Sequence, residues 1–231
     1  MGMEMPKIKT RLEVNMLAGD GAAELYLYGV IRQAFWWDDE EEVISAKRVQ
    51  KALQELKGKN IDVHINSPGG DVFESIAICN LLKQHDGIVN VYVDAIAASG
   101  ASVVCTAGEK VFMFVNSMMF IHEAATYAGG NAAFFRKVAD DLDKITDSAR
   151  QSYLSKWIGT EEELDKLLAE ETYLTAAECL AFGLCTEIID AKPQEPEPQV
   201  SVKASLFAKY QKPPAPEGDD KKASLFNLFK K

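Results

Sequence analysis

The chain has 231 residues, 47% hydrophobic and 26% charged, with a formal net charge of −10 and an isoelectric point near 4.9. That length supports one sizeable core with or without a tail, and the acidity argues against nucleic acid as a partner. No apolar run reaches the ~18 residues of a bilayer span, Met1–Val14 lacks the apolar stretch of a secretory signal, and Pro6 breaks the myristoylation pattern that Met-Gly would open.

In chain order, "ELYLYGVI" (Glu24–Ile31) reads as a strand. Ser45–Lys59 reads as a helix, with Ser45 as its cap, Val49, Leu53 and Leu56 on one face and Gly58 near its end. "IDVHI" (Ile61–Ile65) is a second strand, Asp71–His85 a second helix and "IVNVYV" (Ile88–Val93) a third strand. A further helix begins in "ASGASVVCTAG", and "KVFMFV" and "MMFIH" follow as short strands. Gly130–Trp157 is one long helix, and Thr175–Gly183 a short one with a Thr175–Glu178 capping box and Gly183 at its end. Strands alternating with helices predict parallel pairing in an α/β layer.

Composition changes near Ala191. Residues 191–231 hold six of the eight prolines and eight lysines against five acidic residues, so a body over 1–190 precedes a basic, extended tail. "KASLF" occurs twice in that tail, at Lys203–Phe207 and Lys222–Phe226. Short apolar islands of this kind either dock on a partner or pack back on the body. Cys79, Cys105, Cys179 and Cys185 form no CxxC pair and read as buried free thiols. His64, His85 and His122 are too scattered for a zinc site, and no motif asks for a cofactor.

Two stretches carry chemistry. "NSPGGD" (Asn66–Asp71) lies between a strand and its helix, where Pro68, Gly69 and Gly70 suit a loop that turns backbone N–H groups toward a ligand. "DAIAASGAS" (Asp94–Ser102) contains only small residues around Ser99, at the predicted start of a helix where N–H groups lack partners. Ser99 is thus either a plain N-cap or a nucleophile beside the Gly100 N–H. A nucleophile needs a base. His122, ending an apolar run, is the candidate, His64 a rival, and His85 suits a helix end. Glu170 and Glu171 are the acids that precede the capped helix, available to orient an imidazole.

In this order, "INSPGGD", "AASGAS", "MMFIHEA" and "ETYLTAAECLAFGL" resemble the ClpP serine peptidases, with the bacteriophage head-maturation branch as the nearest likeness, over residues 24–190. The resemblance implies an α/β fold, a ClpP/crotonase-like ββα superhelix with a helix–strand handle, the handle at Gly130–Trp157 and entered by "YAGGNAAF". It implies Ser99 as nucleophile, His122 as base and Glu171 as the acid, where the family carries Asp, with Glu170 as the alternative. It implies oxyanion donors at the Gly69 and Gly100 N–H groups. Further implications are a heptameric or double-heptameric ring in the cytoplasm, a polypeptide substrate such as capsid or scaffold protein, and a possible Clp-type ATPase partner. Acyl-CoA hydratases of the same fold need no Ser–His pair, signal-peptide peptidases use Ser–Lys, and an inactive ring serving as an assembly scaffold is the non-enzyme alternative.

Overall fold

A computed structural model of the chain describes residues 8–16, 22–37, 43–189 and 206. Among these, the order is β1 (Arg11–Asn15), β2 (Ala23–Ile31), α1 (Ala46–Glu55), β3 (Ile61–Gly70), α2 (Val72–Lys83), β4 (Val89–Ala98), α3 (Gly100–Cys105), β5 (Lys110–Phe114), β6 (Met118–Ile121), α4 (Ala132–Leu154), α5 (Glu161–Ala169), β7 (Thr172–Thr175), α6 (Ala176–Phe182) and β8 (Glu187–Ile189). One sheet runs β1-β2-β3-β4-β5-β8, and β6 leaves it from β4 carrying β7. The β2–β3, β3–β4, β4–β5, β4–β6 and β5–β8 pairs are parallel; β1–β2 and β6–β7 are antiparallel. The α/β architecture expected from the sequence is the one observed.

Burial alternates along the inner strands, as period-two side-chain geometry requires. Leu25 and Leu27, Ile61, Val63 and Ile65, and Val91 and Val93 join Val49 and Leu53 of α1 and Ile78 and Leu82 of α2 in a single core. Burying each such side chain is worth about 1.5–3 kcal/mol. The predicted caps are present: Ser45 Oγ accepts from Arg48 N–H, Thr175 and Glu178 form the capping box, and Gly183 ends α6 with φ 83°. The four cysteines are free and buried.

Two strands are longer than the sequence suggested, and both changes matter for the site. β3 continues through the supposed loop to Gly70, with a register shift against β2 between Tyr28 and Val30 and against β4 between Ile65 and Ser67. Fully buried Ser67 stitches this bulge, its Oγ donating to the Gly29 carbonyl at 2.6 Å and accepting from Gly69 N–H at 3.0 Å. β4 continues to Ala98, pairing β5 through Asn90–Val93 and β6 through Ile96–Ala98. Ala95–Ala98 are therefore strand, Ser99 alone makes the turn, and Gly100–Ser102 already belong to α3. β1, α5, β7 and β8 are short elements that the sequence pattern did not separate. Of "YAGGNAAF", expected to form a strand–helix entry to the handle, Tyr127–Asn131 carries no strand and α4 begins at Ala132.

Expectations about the tail fall on residues outside the description, with one exception. Leu206, the leucine of the first KASLF, is 2% exposed and belongs to the same hydrophobic core. Among the described residues no helix is long and apolar enough to cross a membrane.

Candidate active site

The end of β4 delivers Ser99 to the first position outside α3, with φ 53° and ψ −126°. Its side chain makes no capping bond. The N-cap alternative therefore fails in detail: Ser99 occupies the capping position but aims its hydroxyl elsewhere. Ser99 N–H donates to the Phe120 carbonyl at 2.8 Å, which pins the residue to β6. β6 ends one residue before His122, and the Ser99 hydroxyl meets His122 Nε2 at 2.7 Å. Phe120 stacks on the imidazole, with ring centroids 5.2 Å apart.

The antiparallel β6–β7 register pairs Ile121 with Thr172, so Glu171 lies opposite His122 at the next step. Glu171 is exposed and shares no hydrogen bond with the imidazole. It acts through its charge: burial pushes His122 below its ordinary pKa, while the Glu171 carboxylate and a backbone group of Glu123 pull it back upward. Glu170 instead ends α5 and exerts no such effect. Ser99 and Glu171 are the two non-glycine residues with positive φ among the described residues, at 53° and 51°. Each such conformation costs on the order of 1–3 kcal/mol and persists only where its surroundings enforce it.

The glycines lie where no side chain fits. A Cβ on Gly69, at φ 80°, would come within 2.4 Å of the Ala98 carbonyl and 2.8 Å of Gly100 N. A Cβ on Gly100 would meet Ser75 Oγ at 2.1 Å. A cleft of about 290 Å³ is lined by Ser99 and His122 together with Gly70 and Gly100. Its apolar wall includes Val72 and Phe73 of α2 and Leu142, Ile145, Ala149 and Tyr153 from one face of α4.

The model of the family described as Clp protease matches residues 37–192. The chain belongs to the Clp protease family. The match spans about two thirds of the sequence and contains Ser99, His122, Glu171 and both glycine positions. As a ClpP-like serine peptidase it has a ready use for a hydroxyl held against an imidazole under an extended, apolar-walled cleft.

The rival histidines of this Clp protease are engaged elsewhere. His64 sits on the half-exposed face of β3, its Nδ1 3.0 Å from Asp94 Oδ2, and its ring stacks between Tyr26 and Tyr92. Tyr28 donates to the same Asp94 at 2.6 Å. His85 donates from Nε2 to the Lys59 carbonyl at 2.7 Å. Sequence reasoning missed the α4 wall of the cleft, although Leu142, Ile145, Ala149 and Tyr153 follow helical spacing. The resemblance implied an oxyanion donor at the Gly69 N–H. Gly69 N–H is taken by Ser67 Oγ, and it is Gly70 that lines the cavity.

Proposed function

We propose that this chain is a serine endopeptidase working through Ser99, His122 and Glu171. The observation that carries the reading is the 2.7 Å contact between His122 Nε2 and the hydroxyl of a serine that caps nothing and holds a strained backbone. Ser99 Oγ attacks the scissile carbonyl as His122 takes its proton, and His122 then protonates the leaving amine. Water repeats the cycle on the acyl-enzyme. Glu171 stabilises the imidazolium by charge. The Gly100 N–H holds the oxyanion, joined by the glycine segment, for which Gly70 replaces Gly69 as the better donor because it faces the cleft. Such donors are each worth about 3–4 kcal/mol.

The finer reading is a prohead maturation protease that cuts capsid or scaffold protein within a heptameric or double-heptameric ring. It is supported by the resemblance of the four motifs to the bacteriophage branch, and by a basic tail suited to tethering on an assembly. A general degradative peptidase fed by a Clp-type ATPase would use the same site. The inactive-scaffold alternative is separated from both by one assay. Ser99→Ala should abolish peptide cleavage and labelling by a fluorophosphonate probe. Labelling that survives this change would remove Ser99 as the nucleophile, and a wild-type ring that never labels would favour the scaffold.

A further inference from the structure

Ser102, one turn into α3, is 1% exposed, and its hydroxyl has more partners than a helical serine needs. Its Oγ lies 2.6 Å from the Ser99 carbonyl, 3.4 Å from the Phe120 carbonyl and 2.6 Å from Tyr153 Oη. Thr106, at the end of the same helix, donates its hydroxyl to the Val103 carbonyl at 2.8 Å and has Cys79 Sγ 3.4 Å away. A carbonyl only accepts, so Ser102 donates to Ser99 O and Tyr153 donates to Ser102. Burial drives the Tyr153 phenol well above its ordinary pKa, which keeps that proton in place. Tyr153 is also the buried residue of α4, at 2% exposure, so α4 reaches the nucleophile's own carbonyl through this phenol.

The Ser99 carbonyl and the Gly100 N–H belong to one planar trans peptide unit and point in opposite directions. Two donors converge on that carbonyl: Ser102 Oγ at 2.6 Å and Ser102 N–H at 2.9 Å. Fixing the oxygen fixes where the N–H points. Donation to the oxygen also draws electron density along the amide and strengthens the N–H as a donor. We propose that Tyr153 and Ser102 form a hydrogen-bonded relay, Tyr153 O–H to Ser102 O–H to Ser99 C=O, that aims and polarises the Gly100 N–H toward the oxyanion. They are positioning residues, since neither touches the reacting atoms through its hydroxyl. The inference rests on the serine-peptidase reading, in which Gly100 N–H receives the oxyanion.

The test uses the full-length chain in its native assembly. Tyr153→Phe removes one oxygen and keeps the ring in the core. It should lower kcat about two- to tenfold with KM unchanged, and weaken a peptide boronate inhibitor by the same factor. The acid limb of the pH profile should stay in place, because the relay acts on the oxyanion side and not on His122. In a Ser102→Ala background, Tyr153→Phe should add no further loss. Unchanged kcat and boronate affinity in Tyr153→Phe overturns the relay, as does a full additional loss in the Ser102→Ala background. If Ser102→Ala does not fold, the kcat and boronate comparison for Tyr153→Phe decides alone. Failure of the underlying reading looks different: Ser99→Ala would then retain activity, whatever the relay variants do.

Discussion

At the scale of single residues, the proposed peptidase mechanism has His122 set the working pH. Burial lowers its pKa and the Glu171 charge opposes that lowering. Replacing Glu171 by Gln removes the opposition, so the imidazole pKa falls further. The acid limb of kcat/KM, which reports the free base, then moves to lower pH. The same change withdraws charge stabilisation from the imidazolium and should cost about tenfold in kcat. That is well short of the ~10⁴-fold seen when a buried, hydrogen-bonded acid is lost, because Glu171 is exposed and unbonded to the ring. A pH–rate profile of Glu171→Gln measures both effects, and an unmoved limb would take Glu171 out of the triad. Much of this was legible in the sequence. Taken singly, Ser99 read equally as an N-cap and His122 had His64 as a rival; the order of the four motifs, and its resemblance to the ClpP peptidases, singled them out. The hold of Ser67 Oγ on the Gly69 N–H was not legible, since Ser67 turns toward it only within the bulge that the fold creates.

At the scale of elements, the site is the meeting point of three chain ends: β4 into Ser99, β6 into His122 and Glu171 into β7. Caps hold such ends in register. Thr175 both accepts from Glu178 N–H at 3.3 Å and donates to Glu178 Oε2 at 2.8 Å, fixing the corner between β7 and α6. Thr175→Ala should cost about 1 kcal/mol, a drop of about 2–4 °C in melting temperature for a chain of this size. kcat/KM at a temperature well below melting should be unchanged, and calorimetry with a steady-state assay checks both. This corner was readable because a capping box is local, spanning four residues. The Ser102–Tyr153 bond was not, because its partners are 51 positions apart and nothing in either neighbourhood names the other. The extension of β4 through Ala98 was hidden for a related reason. Its last pairs are made with β6, a strand with no local signal of which neighbour it will join.

At the scale of the whole molecule, a mostly parallel sheet carries the core while the proposed catalytic groups gather where β4 passes from β5 to β6. α4 leaves that body with its first turns exposed, Phe134 and Phe135 among them, and returns to it at Tyr153. Leu206 joins the same core. Ser99, finally, is a point where the fold would rest more easily as something other than an enzyme. Its φ of 53° is natural only to glycine. Ser99→Gly relieves a strain of about 1–3 kcal/mol against about 0.5–1 kcal/mol of added chain entropy in the unfolded state. The dead variant should therefore melt higher than the living one, by thermal denaturation of the two side by side. The interval between those two melting curves is stability that evolution has left unclaimed in order to keep a hydroxyl at that corner.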